Sequence, residues 1–266
     1  MLYGKGVPAS NSPTTADTTR PGLPLTGERT LPGIDKENYW FRRHEVAYRW
    51  ITEHVSVAHY DLLEAGCGEG YGADILQRAG ARVTAIDYDT AAIEHAVRTY
   101  PAVRAAVGNL AELPVPAASQ DVVVSLQVIE HLWNLPEFLR DIRQILHPGG
   151  TVVLSTPNRL TFSPGVARGE KPTNPFHVEE FDGEQLAELL ANAGFSEIEM
   201  YGISHSAELR SREERSGSLV DRQVAAILSQ NWPPTLAADV AAITVDDFVV
   251  HPHRADALDL LAVART

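Results

Sequence analysis

Five short aliphatic runs, at 61–65, 82–86, 103–107, 121–126 and 151–155, alternate with stretches of helical periodicity, and this alternation limits the fold more than any other feature. The runs are too continuously apolar to leave one face in water, so they read as strands buried on both sides. Parallel neighbours need crossovers, and helices in those crossovers cover both faces of the sheet. The helices show as stripes. Leu135, Phe138, Leu139, Ile142, Ile145 and Leu146 share one helical face, which His147-Pro148-Gly149-Gly150 closes. Asp182 stands where an N-cap belongs, Leu186, Leu189 and Leu190 follow, and Gly194 ends that helix. Two further strands, near 195–201 and 257–264, complete an expected α/β sheet.

Residues 1–33 are rich in Pro, Thr, Ser, Gly and Asn and carry no apolar period, so a disordered, mobile arm is expected there. Over 34–59 the pattern changes. Tyr39, Trp40, Phe41, Val46, Ala47, Trp50 and Ile51 recur at helical spacing and predict one helix leading a domain that spans 34–266. Residues 203–255 separate the last two strands, with a helix expected near 219–228 and an interruption at Pro233-Pro234. An insertion of that length is more often functional or partner-binding than inert. With 35 acidic against 22 basic residues, the net charge of -13 disfavours nucleic acid and anionic lipid as partners. The single Cys67 excludes an internal disulfide, and no apolar run reaches the ~18 residues of a membrane span, so a cytoplasmic protein is expected.

The segment Leu62-Leu63-Glu64-Ala65-Gly66-Cys67-Gly68-Glu69-Gly70-Tyr71-Gly72 leaves a strand and enters a helix, where glycines let backbone approach a ligand. Asp87 follows the second strand at the spacing where a carboxylate accepts from both ribose hydroxyls. A nucleoside cofactor is expected. The dinucleotide fingerprint wants glycine where Tyr71 stands, and Glu64 and Glu69 have no Lys or Arg beside them in the loop. Carboxylates there repel a diphosphate and suit a ligand bearing ammonium or sulfonium, which points to S-adenosylmethionine rather than a nicotinamide dinucleotide.

On Glu64-Ala65-Gly66-Cys67-Gly68-Glu69-Gly70, Ala85-Ile86-Asp87 and Leu146-His147-Pro148-Gly149-Gly150 ahead of Thr151-Val152-Val153-Leu154, the chain resembles the class I S-adenosylmethionine-dependent methyltransferases from about Tyr60 to Arg265. The resemblance implies a Rossmann-like seven-stranded sheet with its last strand antiparallel. It places the methionine part near Glu64, Gly66 and Gly68, the ribose on Asp87, and adenine near Asn109 and Leu110. Cys67, Tyr88 and Gln127 complete the expected cofactor-binding set, with Cys67 as a small loop residue rather than a reactive thiol.

Gln127-Val128-Ile129-Glu130-His131-Leu132-Trp133 follows the fourth strand, at the sheet edge where ligands sit in such folds. A hydroxyl acceptor must lose a proton, and His131, with an unperturbed pKa of ~6.5, is the expected general base. Glu130 would orient it or hold a substrate hydroxyl. The segment also resembles that of metal-dependent relatives, in which Glu-x-x-Glu-His and a distant histidine hold a divalent cation. Gln127 replaces the first glutamate here, and His177 would be the distant partner. Hard cations prefer carboxylates, so a divalent metal is not favoured, and no metal ligand is assigned. His177 is kept with His131 and Glu130 as an expected catalytic residue. On the leading helix Trp40 is expected to pack against the sheet edge and Arg43 or His44 to meet a carboxylate or hydroxyl, while His205, His251 and His253 lack ligand spacing.

Leu25-Thr26-Gly27-Glu28-Arg29-Thr30, Glu37-Asn38-Tyr39-Trp40-Phe41-Arg42-Arg43-His44, Ser155-Thr156-Pro157-Asn158-Arg159 and Asn174-Pro175-Phe176-His177 are similar to the mycobacterial methyltransferases associated with methylglucose lipopolysaccharide synthesis. That resemblance implies O-methylation of glucose units in a polymethylated polysaccharide. Trp40, Trp133 and Trp232 would supply apolar platforms for a sugar. Two alternatives stay open: an O-methyltransferase for phenols or quinone precursors, and a non-catalytic cofactor-binding subunit with this fold.

Overall fold

The computed structural model describes residues 29–266. Strands β1 (Asp61–Ala65), β2 (Arg82–Asp87), β3 (Arg104–Val107), β4 (Gln120–Leu126) and β5 (Leu146–Pro157) pair in parallel in the order β3-β2-β1-β4-β5. Beyond β5 the sheet continues through β6 (Ser196–His205), β7 (Phe248–Pro252) and β8 (Asp259–Arg265). The last strand, β8, slots antiparallel between β5 and β6, and β7 adds antiparallel to the outer edge of β6. The Rossmann-like order and the reversed final strand are as expected.

Among the described residues the sheet has eight strands rather than seven, because β7 lies within the segment read as an insertion. Five residues on an edge, of which only Phe248 is buried, show neither alternation nor a continuous apolar run. The sixth strand also continues to His205, past the boundary drawn at 203.

Nine α-helices accompany the sheet among the described residues. The first three are α1 (Asn38–His54), α2 (Tyr71–Arg78) and α3 (Thr90–Thr99), followed by α4 (Leu135–Ile145), the short α5 (Arg159–Phe162) and α6 (Gly183–Asn192). Three more, α7 (Ala207–Ser216), α8 (Leu219–Ser229) and α9 (Pro234–Ala241), fill the insertion. The stripe on α4 is buried throughout, from Leu135 to Ile145, and packs with Leu186 and Leu190 of α6 on one side of the sheet. On the other side Tyr39, Ile51, Leu76, Leu236 and Val240 join α1, α2 and α9 in a second core. Pro233-Pro234 does not break a helix. The α8 helix has already ended, with Gln230 in the left-handed region, and Pro234 opens α9, where its missing N–H has no helical partner to lose.

The arm boundary at 33 is also too late. Residues 1–28 lie outside the described residues, but Thr30 and Leu31 are buried, Leu31 against Ala92 of α3. Two buried residues are too few to make a period, so the sequence gives no sign of them.

A buried ion pair ties the leading helix to the sheet. Arg43 of α1 donates through Nε to Asp259 Oδ2 at 2.6 Å and through Nη2 to Asp259 Oδ1 on β8. The guanidinium also stacks over the Phe162 and Trp40 rings, 4.5 and 5.4 Å from their centroids. Arg43 thus meets a carboxylate, that of Asp259 within the fold rather than a ligand's, and Trp40 packs beside it.

Candidate active site

A cavity of about 560 Å³ opens at the carboxyl ends of β1, β2 and β4, roofed by α1 and by Arg29 and Thr30. This is the edge where ligands bind in doubly wound sheets, and the volume suits a nucleoside-sized ligand. Its floor is the glycine loop after β1. Gly66 has φ +84°, and a Cβ there would lie 2.4 Å from Val128 Cγ2, so only glycine fits. The N–H groups of Gly66 and Cys67 both donate to Ile86 O, fastening the loop to β2. Burial pushes the Cys67 thiol far up, which leaves it an inert loop residue.

Asp87 lines the cavity and is locked in place: its Oδ2 accepts the Gly68 N–H at 2.8 Å and its Oδ1 the Asp89 N–H at 3.0 Å. Each oxygen keeps a second lone pair for an outside donor. Tyr88, Asn109, Leu110 and Gln127 are on the same wall. The Asn109 side-chain oxygen is already spent on the Ala111 N–H, 2.9 Å away, as a turn residue would spend it.

Glu64 is not on the wall. It lies fully buried beneath the loop, where Tyr48 donates to its Oε1 at 2.6 Å and its Oε2 has no partner among the described residues. Gly72 admits this contact, because a Cβ there would sit 2.2 Å from the Tyr48 ring. Burial, opposed by the Tyr48 hydrogen bond and helped by Asp87, pushes Glu64 up to about 8, and burial pushes Glu69 up to about 7. The folded chain therefore holds these protons at pH values where the unfolded chain, ionising near 4.5, has released them. Stability is expected to fall as pH rises from about 4.5 through about 8. Melting curves across that range check this: Glu64→Gln should flatten the decline, and an unchanged slope would remove Glu64 from it.

On the acceptor side His131 reaches the cavity wall. Its Nδ1–H donates to Phe176 O at 3.2 Å, which puts the basic lone pair of the neutral ring at Nε2. Its ring meets that of His177 edge to face, centroids 5.0 Å apart. His177 in turn donates from Nδ1 to Glu180 at 2.6 Å and accepts at Nε2 from Asn174. Glu130 is buried, accepts from Thr156 at 3.0 Å, and is pushed up to about 7 by burial. Its backbone carbonyl accepts the Val178 N–H, which fastens the loop after β4 to the loop carrying His177.

The structure thus brings together the three expected catalytic residues, drawn from positions 47 residues apart at most, Glu130, His131 and His177, each with a ligand atom within 4.8 Å of the others. Two imidazoles and one carboxylate are a set that divalent transition ions accept. Gln127, in the place of the fourth ligand, is turned away: its Nε2 donates to Ser155 and Asp259.

Trp40, Trp133 and Trp232 are all absent from the cavity wall. Trp133 is 89% exposed, and Trp232 lies under Lys36. The aromatic residues that do line it are Tyr48, Tyr71, Tyr88 and Phe176. His44 lines it too, held far down, to about 3, by burial and then by Arg43, so it is a neutral ring. The spacing of His44 and Tyr48, one turn apart on α1, is the sequence signal that could have found this wall. Arg29 and Thr30 had no comparable signal.

The model of the methyltransferase domain family matches residues 37–199. The chain belongs to the class I S-adenosylmethionine-dependent methyltransferases. A probable S-adenosylmethionine-dependent methyltransferase of Mycobacterium tuberculosis H37Rv is 47% identical over 262 residues, 96% of this chain and 94% of that one. Its counterpart in Mycolicibacterium smegmatis is 49% identical over 248 residues, covering 91% and 95%. A Thermotoga maritima S-adenosylmethionine-dependent methyltransferase, possible histamine N-methyltransferase, superposes with TM-score 0.58 at 17% identity, covering 85% of this chain and 92% of that one. At that identity the likeness shows the fold alone.

The residues of this methyltransferase suit its cofactor. Asp87 and Glu69 line the cavity beside the glycine loop, and a sulfonium and an ammonium suit them, whereas a diphosphate would be repelled. Among the described residues no helix is long and apolar enough to cross a membrane. Asp87→Asn keeps one acceptor, and Asp87→Ala keeps none. The alanine variant should raise the calorimetric Kd for S-adenosylhomocysteine by ~10-fold or more, charged hydrogen bonds contributing about 1.5–3 kcal/mol each. The asparagine variant should fall between, and equal affinity across the three proteins would remove the ribose assignment.

Proposed function

We propose that this methyltransferase transfers a methyl group to a sugar hydroxyl, in glucose units of a polymethylated polysaccharide of the methylglucose lipopolysaccharide type. The observation that carries an oxygen acceptor is His131: an imidazole on the cavity wall, its Nδ1 held by the Phe176 carbonyl, beside Glu130 and His177. When bound, S-adenosylmethionine supplies a methyl carbon already activated by the sulfonium. The chain's part is positioning and proton removal. His131 Nε2 takes the acceptor hydroxyl proton, and the Phe176 carbonyl keeps the ring oriented. Glu130 is buried behind that wall, where its carboxylate accepts from Thr156 and its backbone carbonyl fastens the loop that carries Phe176 and His177. The glucose unit itself rests on the resemblance of the Asn174-Pro175-Phe176-His177 and Glu37-to-His44 segments to the mycobacterial enzymes.

A divalent cation on Glu130, His131 and His177 is a second reading, favoured by their convergence. It would supply Lewis acidity toward the acceptor oxygen. One experiment separates these readings: methyl transfer from labelled cofactor to oligoglucosides, to catechols and to no acceptor, each with and without chelator. Methylated glucoside with chelator present supports the proposal. Methylated catechol alone overturns it, and loss on chelation restored by a divalent ion favours the cation.

A further inference from the structure

We propose that Arg29 is a cofactor-binding residue whose guanidinium takes the carboxylate of the cofactor's methionine part. Its side chain lines the cavity and is 13% exposed. Nη2 donates to Asp89 Oδ2 at 2.6 Å, while Asp89 Oδ1 caps α3 by accepting the Ala91 N–H at 2.9 Å. Arg29 is thereby pinned to a fixed helix end. Its backbone neighbours are pinned as well, Thr30 Oγ1 against His44 Nδ1 at 3.4 Å and Leu31 against Ala92.

The guanidinium faces the glycine loop: Nε lies 3.8 Å from where a Cβ on Gly68 would stand. Among the described residues Nη2 is the only nitrogen of Arg29 with a hydrogen-bond partner, so the rest of the fork is unspent. Charge decides what fills it. Arg29 is the only Lys or Arg on the cavity wall among the described residues, opposite the carboxylates of Glu69 and Asp87 on that wall and of Glu64 beneath it. The cofactor carries two cationic centres and one anion. The cations have Asp87 and Glu69 on the wall to meet, and the anion has one guanidinium, whose planar fork matches a carboxylate. This inference rests on the family's cofactor and is independent of the acceptor class.

The test is calorimetric titration of the full chain, wild type, Arg29→Lys and Arg29→Gln, with S-adenosylmethionine, S-adenosylhomocysteine and decarboxylated S-adenosylmethionine. Arg29→Gln is expected to raise Kd for the two carboxylate-bearing ligands by ~10-fold or more and for the decarboxylated one by less than ~2-fold. Arg29→Lys should retain part of the affinity. Equal losses for all three ligands would show that Arg29 only packs the 29–31 segment and would overturn the proposal, as would no loss at all. Failure of the wild type to bind any of the three would instead sink the cofactor assignment on which it stands.

Discussion

His131→Ala is expected to lower kcat by ~100-fold or more while leaving the calorimetric Kd for S-adenosylhomocysteine within ~2-fold. A positioned general base contributes roughly 10²–10⁴ in rate, and the effect appears in the chemical step because the ring acts on the acceptor oxygen rather than the adenosyl group. The ring is held by Nδ1–H to the Phe176 carbonyl and by the His177 ring, so the 174–177 loop is part of the base. His131→Gln should lose nearly as much, since an amide can donate and accept but not take a proton at neutral pH. A loss of less than ~5-fold in kcat for both variants would mean that positioning alone drives transfer and that no base is needed.

Asp259→Ala is expected to cost about 3–5 kcal/mol, because it leaves the Arg43 guanidinium buried without its partner. For a domain of this size that corresponds to a melting temperature lower by roughly 10 °C in scanning calorimetry. Asp259 also accepts from Gln127 Nε2 at 3.3 Å, and Gln127, at φ +56°, opens the segment that carries Glu130 and His131. Turnover should therefore fall along with stability. Replacing both partners, as Arg43→Met with Asp259→Leu, removes the stranded charge and should recover most of the melting temperature. A single variant as stable as wild type would show that water reaches Arg43 and that the pair does not tether α1.

The β1, β2, β4 and β5 strands were legible because a strand covered on both faces is apolar along its length, and helix crossovers impose a second period between them; the run at 103–107 also forms a strand, β3, but an edge strand whose residues are mostly exposed rather than buried. The glycine loop was legible because close backbone approach to a ligand needs positions such as Gly66 that no side chain can occupy. In contrast β7 was hidden, an edge strand with one buried residue, and so was the docking of Arg29 to Leu31. Trp133 and Trp232 misled: a large aromatic ring can pack under a lysine or stand in solvent as readily as it lines a cleft, and sequence does not distinguish these.

Sequence alone determined the strand–helix alternation and the acidic glycine loop with its carboxylates, because these follow from periodicity and from local backbone sterics, while the reversed last strand was implied by the family resemblance. Only the tertiary structure decided that Glu130 and His131 meet His177, that Gln127 turns away to Asp259, and that Arg29 closes over Gly68. Those contacts join residues far apart in the chain. They exist because the packing of separate elements sets the distances, and no local pattern of residue types records such distances.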